Sequence, residues 1–244
     1  MEKLPSHFEK NAENVLEFNR QIIEATKDLA VCYKINTAFY EWMGAKGWEI
    51  MEATKNSIPS SVFTIADAKR GDIGNTSFMY AKTFFETLDF DAVTVHPYMG
   101  KDSVMPFLEY KNKWTIILAL TSNKGSEDFE ILETEGEPLY NKVLRKCSEW
   151  GTPDNTMYVT GATKASQLSA IRNIVPEHFL LVPGVGAQGG NVKDVCDAAA
   201  TKDVGLLINA SRSIIYASSG KDFAEKAREE SLNLIAEMTE NLGF

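Results

Sequence analysis

Short apolar, β-branched runs recur along the chain, and each is followed by a stretch whose apolar residues repeat at helical spacing. Seven runs stand out: Leu29 to Thr37, Val62 to Lys69, Ala92 to Pro97, Trp114 to Ser122, Met157 to Thr163, Phe179 to Gly184 and Gly205 to Ser211. Their continuous apolar character predicts strands buried on both faces, and their alternation with helical stretches predicts a parallel sheet wrapped by helices. The helical stretches carry signals of their own. Val15, Phe18, Ile22, Ile23 and Leu29 keep a 3.6-residue period behind Asn14, which can cap a helix. Leu139, Val143, Leu144 and Cys147 follow Pro138, a residue suited to a first helical turn. Phe223, Ala227, Leu234, Ile235, Met238 and Leu242 make one face of a closing helix.

The length of 244 residues fits an α/β protein of the (β/α)8 TIM-barrel class, which needs ~250 residues in one domain. Nothing marks a linker or a low-complexity tract, so one barrel domain over 1–244 is expected. Seven runs are one fewer than eight. The polar stretch Glu2 to Asn14 leads straight into a helix, and the expectation is that the first strand lies upstream of Met1.

Charge and cysteines narrow the partners. With 25 Lys plus Arg against 34 Asp plus Glu, the net charge of -9 opposes broad attraction to a nucleic-acid backbone, so an anion must be held by a local cluster. Cys32, Cys147 and Cys196 are odd in number and far apart, which argues for reduced thiols and a cytoplasmic setting. The start resembles no signal peptide, and runs such as Ile116 to Leu120 are too short to span a bilayer, so no membrane partner is expected.

The chemistry concentrates at strand ends. In Thr64-Ile65-Ala66-Asp67-Ala68-Lys69-Arg70-Gly71-Asp72, strand alternation points Asp67 and Lys69 the same way, toward the mouth of a barrel, with Asp72 in the loop beyond. A carboxylate, ammonium, carboxylate set of this kind can hold a lysine protonated beside a reacting carbon; a surface salt bridge is the plain alternative. Lys34 interrupts an apolar run and needs a partner such as Asp67, unless it snorkels to the rim. Pro183-Gly184-Val185-Gly186-Ala187-Gln188-Gly189-Gly190, followed one strand later by Ser211-Arg212-Ser213, suits a phosphate at the last two strand-to-helix loops. Thr121-Ser122-Asn123-Lys124-Gly125-Ser126 offers hydroxyl and amide groups to a polar heterocycle, or forms a plain turn. His7, His96 and His178 show no metal-ligand spacing, and His96 is read as structural.

Together these blocks resemble the orotidine 5'-monophosphate decarboxylase family, in its longer bacterial-type branch. The likeness rests on Asp67-x-Lys69-x-x-Asp72-Ile73-x-x-Thr76, on Asn36 to Glu41 after Lys34, on Thr121-Ser122-Asn123-x-Gly125-Ser126, on Pro183 to Gly190, and on Ser211 to Tyr216. It covers the chain from about Phe18 to Ser218. It implies that Lys69 protonates C6 of the pyrimidine after carbon dioxide leaves, with Asp67 beside the departing carboxylate and Lys34 bonded to the ribose and to Asp67. It further implies that Asp72, Ile73 and Thr76 reach into a neighbouring subunit's site in a homodimer. Ser122 would contact the pyrimidine, Pro183 would line the substrate site, and Gln188 and Arg212 would hold the 5'-phosphate. The family uses no metal, flavin or other cofactor. Its members begin with a strand ending in a ribose-contacting aspartate, for which this sequence shows no counterpart.

Two other readings stay open. A related sugar-phosphate decarboxylase carries the same Asp-x-Lys-x-x-Asp strand but depends on Mg²⁺, and Ile73, Thr76 and the Thr121 block favour the nucleotide over it. A non-catalytic nucleotide-phosphate binder would bind without turnover, and the intact Asp67, Lys69, Asp72 set argues against it.

Overall fold

The computed structural model describes residues 1–161, 165–184 and 191–243. Its main sheet contains β1 (Cys32–Asn36), β2 (Phe63–Arg70), β3 (Ala92–Val95) and β4 (Trp114–Leu120). A two-stranded hairpin, β5 (Glu133–Thr134) and β6 (Glu137–Pro138), interrupts the series before β7 (Thr156–Thr160), β8 (Phe179–Pro183) and β9 (Leu206–Asn209). The order is β1-β2-β3-β4-β7-β8-β9, every neighbouring pair parallel. Each strand therefore sits beside its predecessor and returns through a helical crossover, the α/β architecture of the (β/α)8 barrel class. All seven predicted runs contain a strand of this sheet. Among the described residues no eighth strand joins β1 to β9, and these two are the sheet's edges.

Alternation along each strand sorts the side chains into two apolar layers. Ile65, Ala92, Ile116, Met157, Val159 and Leu181 pack together on one face. Ala66, Val93, Ile117, Tyr158, Leu180 and Val182 pack on the other with helix residues such as Met51, Phe84 and Leu144. The first layer has a polar upper tier, because Lys34, Asp67 and Thr94 lie two positions beyond its members Cys32, Ile65 and Ala92. Parallel strands put all their carboxyl ends at one rim, so the ends of β1, β2, β4, β8 and β9 share it.

Details differ from the sequence reading. The first helix, Ala12–Thr26, is capped by Asn11, whose side chain accepts a hydrogen bond from the Asn14 backbone N–H, so Asn14 lies in the first turn. Leu29 lies past that helix's end, while Phe18, Ile22 and Ile23 form its buried face as the period predicts. Pro138 precedes the helix Leu139–Ser148 as its cap. On the closing helix, Phe223–Leu242, Ile235 is exposed, whereas Phe223 and Ala227 are buried and Leu234, Met238 and Leu242 pack on the core. The hairpin Glu133–Pro138 turns through Glu135 and Gly136, both at positive φ. Among the described residues no helix is long and apolar enough to cross a membrane.

Candidate active site

Asp67 is the centre of the polar tier. Its side chain is 8% exposed. Desolvation alone would push its carboxyl toward the neutral form, but attraction and hydrogen bonds from Lys34 and Lys69 outweigh it and hold the carboxyl below its ordinary value. Lys34 Nζ donates to Oδ2 at 2.7 Å and Lys69 Nζ to Oδ1 at 2.5 Å. Lys34 is 14% exposed and Lys69 45% exposed, so one ammonium is buried with the carboxylate while the other faces the open rim. Two cations around one anion leave local positive charge, and Lys69 is the group positioned to offer it to an anionic ligand.

The backbone route between Asp67 and Lys69 is not the regular alternation read from the sequence. Ala66 pairs with Val93 and Arg70 with Val95, so residues 67 to 69 of β2 stand against Thr94 alone. This bulge puts Lys69 at φ 44°, the left-handed region that a residue with a Cβ seldom adopts. The two side chains still converge, because the bulge turns Lys69 back over the carboxylate. Thr94, which the sequence reading passed over as an ordinary strand residue, accepts the Lys69 backbone N–H at 2.9 Å and donates to Asp67 Oδ1 at 3.1 Å.

Arg70 anchors the strand just beyond. Its guanidinium pairs with Glu41, donates to the Ala68 carbonyl at 3.1 Å, and lies 5.3 Å and 5.4 Å from the ring centres of Tyr80 and Phe84. Glu41 comes from the turn after β1, so this contact also ties the loops of β1 and β2 together. The signal for it was the Asn36 to Glu41 block, which carries no role of its own when read from sequence.

Past Arg70 the chain bends over His96. The His96 backbone N–H donates to the Arg70 carbonyl at 2.9 Å, and a Cβ added to Gly71 would stand 2.2 Å from atoms of the His96 ring. A larger residue there has to displace the ring. Asp72 follows, partly exposed, its carboxylate accepting the Ile73 N–H at 2.8 Å. It forms no ion pair among the described residues, in contrast to Asp67. Ile73 and Thr76 are exposed beside it. Of the two aspartates of the sequence motif, Asp67 is buried between two lysines and Asp72 is partly exposed.

On the other side of the rim, β4 runs into Thr121 and Ser122. Glu130 holds this turn, accepting the Thr121 N–H at 2.7 Å and the Thr121 hydroxyl at 2.9 Å. Gly161, after β7, packs directly against it, since a Cβ there would lie 2.5 Å from the Ser122 nitrogen. Neither Glu130 nor Gly161 was visible as part of the site from spacing alone. Pro183 ends β8 opposite Asn209 of β9, and the Gly184 N–H donates to the Asn209 carbonyl at 3.2 Å. Arg212 opens the short helix Arg212–Ile215 directly after β9, exposed and without a carboxylate partner among the described residues. Gln188 lies outside the described residues, as do Val185, Gly186, Ala187, Gly189 and Gly190 of the same glycine-rich stretch of sequence.

The strand ends thus offer a lysine ammonium near a buried carboxylate after β2, hydroxyl groups after β4, and an exposed arginine after β9. A family model described as Orotidine 5'-phosphate decarboxylase / HUMPS family matches residues 12–227. The chain is similar to the orotidine 5'-phosphate decarboxylase of Flavobacterium johnsoniae, 57% identical over 243 residues that are 98% of this chain and 89% of the relative. It is 54% identical to that of Phocaeicola vulgatus over 98% of this chain and 89% of the relative. Among solved structures it is similar to Leishmania donovani OMP decarboxylase, with a TM-score of 0.85 and 34% identity, covering 97% of this chain and 91% of that one.

Proposed function

The chain belongs to the orotidine 5'-phosphate decarboxylase / HUMPS family and is a carbon-carbon lyase, and from this premise we propose that it decarboxylates orotidine 5'-monophosphate to uridine 5'-monophosphate through a metal-free network of lysine and aspartate charges. The observation that carries the mechanism is the single buried carboxylate of Asp67 shared by Lys34 and Lys69. Losing carbon dioxide from C6 breaks a bond whose electron pair stays on an sp² carbon with no adjacent electron sink. A fixed ammonium is the group that can stabilise such a pair, and the same ammonium can then protonate it. Lys69 has that role: its Nζ proton passes to C6, and the neutral amine regains a proton from water.

Asp67 keeps Lys69 protonated and aimed, and its negative charge lies beside the substrate carboxylate, which favours departure of that group as uncharged carbon dioxide. Lys34 holds Asp67 ionised and reaches the ribose. Ser122 reads the pyrimidine edge and Pro183 lines the same pocket. Arg212, with Gln188, takes the 5'-phosphate, and binding energy gathered there serves the reacting carbon at a distance. The runner-up, a Mg²⁺-dependent sugar-phosphate decarboxylase, differs in its test. Turnover of orotidine 5'-monophosphate, followed by the absorbance change as uridine 5'-monophosphate forms, continues in EDTA on our reading; turnover of a sugar phosphate that EDTA abolishes, with orotidine 5'-monophosphate untouched, favours the runner-up, and nucleotide binding without turnover favours a mere binder.

We also assign the functional unit as a homodimer of single-domain chains, 1–244, with shared sites. Phe39, Trp42, Ile73, Met79, Tyr98 and Met99 are large apolar side chains left exposed on segments that follow β1, β2 and β3. Such exposed apolar side chains suit an interface, and Asp72 adjoins one of them, Ile73, in sequence. Asp72, Ile73 and Thr76 then complete the site of the neighbouring subunit. The free thiols of Cys32, Cys147 and Cys196 suit a cytoplasmic enzyme.

Arg212→Ala tests the phosphate assignment. A charge-assisted hydrogen bond left unmade costs ~1.5–3 kcal/mol, so affinity for uridine 5'-monophosphate falls roughly tenfold to a hundredfold while that for uridine is unchanged. Calorimetric titration with both ligands measures this, and an equal loss for both places Arg212 away from the phosphate.

A further inference from the structure

We infer that Thr94 is a positioning residue for the decarboxylation, its one hydroxyl holding Lys69 and Asp67 in their working relation. The inference rests on the role given to Lys69 above. Thr94 is 0% exposed, and its strand neighbours Ala92, Val93 and Val95 are equally buried apolar residues. A valine would satisfy the strand and the packing at this position, so the hydroxyl needs a separate reason.

The contacts supply that reason. Thr94 Oγ1 gives its proton to Asp67 Oδ1, the same oxygen that receives Lys69 Nζ, and accepts the N–H of Lys69 itself. Residue 69 is therefore tied at its backbone and at its ammonium to one two-residue support. The tie spans the bulge in which Lys69 is forced to φ 44°. Without the hydroxyl, the Lys69 N–H loses its acceptor in a half-buried place and the bulge loses the contact that holds its shape. The carboxylate also loses a donor while keeping Lys34 and Lys69. The result is a catalytic ammonium that is present and charged but less well aimed, a defect that lowers kcat more than it weakens binding.

Thr94→Val removes the hydroxyl at nearly constant shape, and Thr94→Ser keeps the hydroxyl. We expect T94V to lower kcat about tenfold to a hundredfold with KM within roughly threefold, and T94S to recover to within roughly threefold of the wild type. A second readout does not need turnover. The Asp67 carboxyl, followed by ¹³C NMR and identified by its absence in D67N, titrates at higher pH in T94V and returns in T94S, because a donor to the charged form is lost and restored while Lys34 and Lys69 still face it. If T94V fails to fold, T94A removes the same hydroxyl and serves in its place. A T94V enzyme with wild-type kcat, a T94S enzyme as slow as T94V, or an unmoved Asp67 titration overturns the inference. Absence of wild-type turnover on orotidine 5'-monophosphate instead overturns the functional reading, and the titration still decides the role of Thr94.

Discussion

Replacing Lys69 with alanine lowers turnover of orotidine 5'-monophosphate by at least ~10²-fold, because the electrostatic stabiliser of the C6 electron pair and the proton donor vanish together. The fold survives this change. Asp67 keeps Lys34 at 2.7 Å and the Thr94 hydroxyl at 3.1 Å, so its charge is not stranded. Alanine at φ 44° carries the same left-handed cost as lysine, and Lys69 is already nearly half exposed. Binding of uridine 5'-monophosphate, which depends on the distant phosphate contacts, stays within about tenfold. Asp67→Ala is the less informative variant. It leaves two ammoniums facing each other, one of them almost buried, and breaking a buried pair in this way costs ~3–5 kcal/mol of stability. Rapid-quench assays and calorimetry on K69A separate chemistry from binding, and wild-type turnover in K69A removes Lys69 from the mechanism.

A dimer assembled from one Lys69→Ala chain and one Asp72→Ala chain recovers about half of the wild-type turnover, although each parent alone is reduced at least ~10²-fold. The arithmetic follows from shared sites. One site of the mixed dimer receives both substitutions, and the other receives the intact Lys69 of one chain and the intact Asp72 of its partner. The structural basis is the contrast between the aspartates: Asp67 is buried between two lysines, and Asp72, partly exposed, accepts the Ile73 N–H and forms no ion pair among the described residues. Co-expression with two affinity tags isolates the mixed species. A mixed dimer as inactive as its parents assigns Asp72 to its own chain's site.

Much of this was legible from side-chain pattern. Buried parallel strands have an unbroken apolar signature, so all seven were found, and a charged residue inside such a run has few explanations, which is why Lys34, Asp67 and Lys69 were read as one network. The bulge was not legible. The hydroxyl that bonds across it belongs to Thr94, a residue 25 positions away from Lys69 whose type is also the ordinary choice for a strand. Glu130 was hidden for a similar reason, since its bonds to Thr121 depend on how the chain after β4 folds back. The cap of the first helix moved from Asn14 to Asn11 because two asparagines three residues apart both fit the capping rule, and only the direction of the Asn14 N–H to Asn11 Oδ1 bond decides between them. The Glu135-Gly136 turn had a usable signal, a glycine closing a two-residue loop, but its strands are too short to show a period.

The contact between Gly71 and the His96 ring makes these two positions one unit of inheritance. Gly71 is not among the residues at positive φ, so its backbone would accept another side chain, and the obstacle is the ring 2.2 Å from where a Cβ would sit. A first mutation at residue 71 must push that ring aside. A first mutation at residue 96 to a small side chain costs packing but leaves the loop in place, and it then opens residue 71 to change. Change at this pair therefore meets less obstruction when histidine is replaced before glycine, and restoring His96 is easiest where residue 71 is glycine.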